Sequence, residues 1–262
     1  MNGEELLSRR AAIAALSGLC VALAARKGRA FGEEGAFNPR VLLTGNARWE
    51  GVRTSAPARW SQELTIRTSA PARQTPGTVR ADDPLLLAEP FALWGGETAV
   101  PSLTDREVSG LRRFIALGGI LLVDDFAPED GSFARTAKRE LKRVLPEGSP
   151  IAIGPENVVF KSFYLLRRPV GRVEGPPKLE AIIRGGVPQV IYSAHDLTGA
   201  LARGASGTHP IQVVPGGEIQ RERAVRLAVN VAMYVLCSTY KDDRVHESFL
   251  KRRHGGQAGE HR

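Results

Sequence analysis

TDREVSGLRRFIALGGILLVDDF, residues 104–126, carries in one line the alternation that decides the fold. Thr104 followed three residues later by Glu107 is a capping box, in which a hydroxyl and a carboxylate satisfy the free amides of a helix start. Val108, Leu111, Ile115 and Leu117 recur near the 3.6-residue period and predict a helix with one apolar stripe. Gly118 stands where a helix takes a left-handed cap. Ile120–Val123 is then an unbroken apolar run, as a central parallel strand requires because both its faces are covered. The run ends on Asp124 and Asp125, and the carboxyl ends of such strands are where open α/β sheets collect their chemistry.

The same grammar extends on both sides. Arg40–Thr44 reads as a strand stopped by Gly45-Asn46, Leu85 begins another element, and Pro90–Trp94 reads as a buried strand closed by Gly95-Gly96. Downstream, a basic amphipathic helix over Ser132–Leu145 stops before Pro146. Lys178–Ile183 and Pro188–Tyr192 read as two strands joined around Gly185-Gly186, a hairpin signal. Ser193-Ala194-His195-Asp196 follows directly, and a long helix over Gln220–Cys237 closes the domain. The expected fold is α/β: three layers around a mostly parallel sheet, with a hairpin extension, in one domain spanning residues 31–240. Residues 241–262 are polar, with three of the five histidines, and read as a disordered tail.

The heptapeptide RTSAPAR occurs twice, at residues 53–59 and 67–73. Between the copies, Trp60–Ile66 with its flanks predicts about two helical turns. Two copies fall short of a solenoid. They read as a local loop–helix–loop duplication, or as a device placing Arg53 and Arg67 on a cationic rim for an anionic ligand.

The first thirty residues have a logic of their own. Arg9 and Arg10 precede an apolar run, Ala11–Ala25, which is followed by Arg26, Lys27 and the small-residue site Gly28-Arg29-Ala30. This is the layout of a bacterial export signal, and the paired arginines point to the twin-arginine route. The run is shorter than the roughly 20 residues a spanning helix needs. Residues 1–30 are therefore expected to be removed, leaving a periplasmic or secreted protein with no integral membrane span. Loss of Arg9, Arg10, Arg26, Lys27 and Arg29 with Glu4 and Glu5 takes the net charge from +8 to +5. That balance is mild, and no basic stripe interleaved with aromatics appears, which argues against nucleic acid as a partner. Of two cysteines, Cys20 falls in the signal. Cys237, after the apolar VAMYVL, reads as a small buried hydrophobe, and neither a disulfide nor a thiolate metal site is expected.

Phe91–Gly96, the 104–126 block, SFARTAKRELKRVLP, FKSFYLL, VIYSAHDL and RLAVNVAMYVL together resemble the bacterial family catalogued as domain of unknown function 4159. The resemblance covers roughly residues 40–240, nearly the whole mature chain. It implies a flavodoxin-like sheet similar to that of class I glutamine amidotransferases, whose nucleophile sits on a tight strand-to-helix turn. Here Asp124-Asp125-Phe126 follow the strand and the cysteine is absent, so the resemblance carries the fold and not the activity.

Two clusters carry candidate chemistry. Asp124 and Asp125 offer oxygen ligands for Mg²⁺ or Ca²⁺, or a general base; the plainer account is a helix cap for one and an Arg or Lys partner for the other. Adjacent strand residues point to opposite faces, so both reach one ion only if the strand has already ended. His195 and Asp196 offer proton transfer near neutral pH, with Ser193 or Ser162 as the nucleophile a triad would need. If the hairpin turns this strand antiparallel, however, the pair lies at the other edge. No G-x-S-x-G elbow occurs, and no phosphate-binding glycine motif calls for a nucleotide, so no cofactor is expected. Tyr164 and Trp94 suit the lining of a pocket. The expected function is an exported envelope protein that binds a small ligand or an envelope partner at the strand ends. The alternative is a hydrolase or metal-assisted enzyme using Asp124 or Asp125 with His195.

Overall fold

The computed structural model describes residues 35–204 and 206–255, with side chains as far as Ser238. The signal reading of residues 1–30 lies outside the described residues. From Ala36 onward a seven-stranded sheet forms the middle layer. Its strands are β1 (Val41–Leu43), β2 (Thr78–Arg80), β3 (Phe91–Gly96), β4 (Ile120–Asp125), β5 (Ile151–Ile153), β6 (Leu179–Arg184) and β7 (Val187–Ser193). They lie in the order β2-β1-β3-β4-β7-β6-β5. β2, β1, β3, β4 and β7 run parallel; β6 runs against them, and β5, antiparallel to β6, returns to their sense.

β4 holds the central place its sequence predicts. All six of its residues are buried, since helices cover both sheet faces. One face carries Phe91, Leu93, Ile120, Leu122 and Ile191 into a core shared with helix α1 (Ala56–Thr68) and helix α5 (Gly217–Gly255). The other carries Ala92, Trp94, Leu121, Val123 and Tyr192 against α2 (Asp105–Ala116) and α3 (Ser132–Val144). The architecture is thus α/β in three layers with a mostly parallel, mixed sheet.

The predicted capping box is present: Thr104 Oγ1 accepts from the Glu107 amide, and Glu107 accepts from the Thr104 amide at 2.8 Å. Gly118 takes a φ of 90° at the far end. The hairpin also forms, and of the two directions left open for its second strand the parallel one is found. β6 runs antiparallel and β7 parallel to β4, because the chain crosses over before β6 and the tight turn then restores the parallel sense. Ser193, His195 and Asp196 therefore lie at the same sheet edge as Asp124, not the opposite one.

Two other expectations are corrected. Cys237 is exposed: two residues past buried Val235 it has turned about 200° round the helix, away from the sheet. The helix between the heptapeptides is longer than two turns and takes in half of the first copy, with Pro57 in its first turn, where a missing amide costs nothing. The backbone of α5 continues past Lys241 to Gly255, and residues 256–262 lie outside the described residues.

Candidate functional site

The chain reverses its direction of winding between β1 and β3, and the loops leaving these strands, β4 and β7 gather at one edge. Ligands of open α/β sheets bind at this position. Gly95 and Gly96 carry the end of β3, and no larger residue fits at either. A Cβ on Gly95 would meet Phe126 Cζ at 2.2 Å, and one on Gly96 would meet Phe133 Cδ2 at 2.6 Å. The two rings thus lie on opposite faces of the strand end, where the glycine pair reads from sequence only as a strand stop.

Asp124 and Asp125, the last residues of β4, face opposite layers, and each serves the helix on its own side. Asp124 is fully buried. Its carboxylate accepts from the Leu197 amide at 3.0 Å, the Thr198 amide at 2.7 Å and Thr198 Oγ1 at 2.6 Å. These amides open the short helix α4 (Leu197–Leu201), whose third free amide, Gly199, donates to Asp196 Oδ1 at 2.8 Å. Two carboxylates thereby satisfy the first turn of one helix. Burial, followed by the nearby Asp196 carboxylate, raises the Asp124 carboxyl to about 6, against the three hydrogen bonds that favour its ionised form. Asp125 acts on the other face. Helix α3 begins at Gly131, which has no side chain to cap it, and Asp125 accepts instead from the amides of Ala127 at 3.0 Å and Ala134 at 3.3 Å. Burial raises its pKa, and those two amides work against the rise.

Of the two plain roles expected for these acids, capping is what both perform; neither takes an arginine. The acid that does is Asp196, buried and held at φ 49°, a left-handed conformation that Asp tolerates better than most residues. Arg53 donates to it from Nε at 3.2 Å and Nη2 at 2.7 Å, a two-point fork. Arg172 pairs with its Oδ2 from another direction. Arg53 also reaches Glu97 at 2.5 Å and stacks 4.7 Å over the Phe126 ring, which Trp49 contacts in turn. Burial works against the Arg53 cation, but Asp196 and Glu97 more than offset it and its pKa is raised. The position singled out as a free cationic rim is therefore a plug in the protein's own crevice. Arg67, the other rim candidate, binds Glu222 through two nitrogens at 2.8 and 2.7 Å and Glu63 at 2.5 Å. Arg172 carried no sequence signal, because nothing local marks it as the partner of Asp196.

His195 turns away from these acids. Its Nε2 lies 3.0 Å from the Pro176 carbonyl, which can only accept, so the proton sits on Nε2. Burial lowers its pKa, which keeps the imidazole neutral, and Nδ1 is buried without a partner. Ser162 Oγ donates to the Val158 carbonyl, and Ser193 Oγ is buried without a hydrogen-bond partner. Neither serine is hydrogen-bonded to His195. Trp94 is core, set edge-on to Phe133 rather than lining a pocket. Tyr164 is pinned to α5, its backbone amide and carbonyl both bonded to the Asn230 side chain. Tyr164 and Arg67 are thus remote from Asp124 in their contacts. Among the described residues, no group of three or more His, Cys, Asp or Glu is placed to hold a metal ion. Among the same residues, no helix is long and apolar enough to cross a membrane.

One cavity does open at the strand ends, on the Asp125 side. It measures about 130 Å³ and is bounded by Asp125, Lys138, Lys178, Glu180 and Tyr192. Lys138 pairs with Glu180 and lies 5.4 Å over the Tyr192 ring.

Comparison with protein-family models matches residues 40–236 to the domain of unknown function DUF4159. The chain belongs to the DUF4159 family. The matched span runs from the residue before β1 into α5, so it includes every strand of the sheet and all the acids described above. A comparison with curated proteins gives no match.

Proposed function

We propose that this DUF4159 chain is an exported binding domain whose ligand enters the cavity beside Asp125, at the carboxyl ends of β4 and β7. The observation that supports this most is how the strand-end acids are used. Asp124 and Asp196 are consumed by helix amides and arginines, while the cavity next to them keeps Lys178 without a carboxylate partner within ion-pair distance among the described residues, set beside Tyr192 and the Lys138–Glu180 pair. A small polar molecule bearing both an acceptor for Lys178 and a flat or apolar part for Tyr192 fits that lining. The strand order β2-β1-β3-β4-β7 equals the 2-1-3-4-5 order of flavodoxin-like sheets, with β6 and β5 added beyond β7 at one edge. That order supports the flavodoxin-like, amidotransferase-like reading of the fold, in which the nucleophile position is taken by Asp124. Export by the twin-arginine route, which places the domain in the bacterial envelope, rests on Arg9, Arg10 and the apolar run after them.

Nuclear magnetic resonance titration with small amphoteric compounds (amino acids, dipeptides and amino sugars) tests the site. Binding is expected to shift the amides of Ala134, Lys178 and Ala194, and Lys178→Ala is expected to abolish those shifts. Shifts confined to other parts of the chain would sink this reading.

A further inference from the structure

On the opposite face of the sheet, α1, α4 and the start of α5 enclose a second cavity of about 130 Å³. Two of its arginines come from the duplicated heptapeptide, on the face turned away from the strand-end cavity. Arg59 closes the first copy and Arg67 opens the second, eight residues apart on α1 and therefore on one helix face. Glu63 lies between them and pairs with both. Arg67 also takes Glu222, and Arg221 takes Glu218 at 3.0 Å. Every glutamate lining the cavity is thus already held by an arginine.

Arg203 is different. It lines the same cavity, has no carboxylate within ion-pair distance among the described residues, and its Nε is buried with no hydrogen-bond partner. His209, beside it, buries Nδ1 without a partner, while its Nε2 lies 3.7 Å from Glu218. Arg203 stands close enough to act on its neighbours: the Arg59 pKa is lowered by burial and by Arg203, and that of His209 by burial, Arg221 and Arg203. Four arginines, three glutamates and an imidazole therefore line one small cavity, which leaves one cation more than the glutamates balance. An unpaired buried guanidinium nitrogen costs free energy unless an acceptor reaches it. The planar fork of arginine matches the oxygens of a phosphate as well as those of a carboxylate.

We propose that this cavity binds a compact oxyanion, a phosphate group free or esterified, between Arg203, Arg59 and His209. The site is separate from the strand-end cavity and stands without it. Isothermal titration calorimetry of the protein with inorganic phosphate and with glycerol phosphate, at constant ionic strength, tests the proposal. One-to-one binding of either probe is expected, and the tighter of the two identifies the free ion or the ester as the better ligand. Arg203→Ala should weaken that binding about tenfold or more, the worth of one charge-assisted hydrogen bond, and Arg203→Lys should restore part of it. Arg113→Ala removes an equal charge from exposed α2 in the other helical layer and should leave binding unchanged. The proposal is overturned if neither probe binds, or if Arg113→Ala weakens binding as much as Arg203→Ala. Since Arg203 is only half-buried and its backbone amide keeps its 2.8 Å bond to Ser55 Oγ, the variants are expected to fold, which their circular dichroism checks.

Discussion

The acids that look catalytic in the sequence are the ones that hold the sheet edge together. Asp196 balances two arginines, so its loss strands Arg172 in a largely buried place and leaves Arg53 with Glu97 alone. Breaking such a pair from one side costs about 3 kcal/mol or more. Asp196→Ala is accordingly expected to lower unfolding free energy by about that amount in urea, and a change below about 0.5 kcal/mol would show the network to be ornamental. Asp124 makes a separate prediction about pH. Its carboxyl is raised to about 6 in the folded chain from an ordinary value of 3.8, so over that window the folded state keeps a proton that the unfolded state has released. Its contribution to stability is therefore full below about pH 4 and lost as pH rises to about 6. Urea unfolding at acidic and neutral pH, compared with Asp124→Asn, should show the wild-type advantage shrinking across that window; a constant difference would refute the assignment. That these positions matter is readable from their place after an apolar run. Their roles are not, because the amides on Asp124 come from 73 and 74 residues further along, and the guanidiniums on Asp196 from 24 and 143 residues back.

Elements built from neighbours in sequence are far more legible. The capping box at Thr104, the turn at Gly118 and the apolar stripe through Val108, Leu111 and Ile115 form as their spacing predicts, because each depends on residues within one or two turns; Leu117, counted into that stripe, lies past the helix end and is exposed. Thr104→Ala removes the cap and is expected to cost about 1 kcal/mol; chemical denaturation reads that directly. At the end of β3 the same locality fails. Gly95-Gly96 announces a stop, while the reason for it is Phe126 on one side and Phe133 on the other. Gly95→Ala should therefore destabilise the fold by about 1–3 kcal/mol through overpacking. Additional Phe126→Leu should recover part of that loss by making room, whereas a merely conformational role for Gly95 would leave the double variant no better.

At the scale of the whole molecule, the proposed export rests on Arg9, Arg10 and the apolar run after them. Replacement of Arg9 and Arg10 by lysine is expected to leave the precursor in the cytoplasm, measured by fractionation, and undiminished export would rule out the twin-arginine route. Sequence alone determined the α/β class, the central strand, the hairpin and the starts of α2 and α3, since periodicity and caps are properties of short stretches. Only the tertiary structure decided which way β7 runs, and hence that His195 and Asp196 share an edge with Asp124. It alone decided that Arg53 and Arg67 are spent on carboxylates while Arg203 is not. The reason is physical: a charge takes the partner the fold brings within about 3 Å, and spacing along the chain carries no record of that distance.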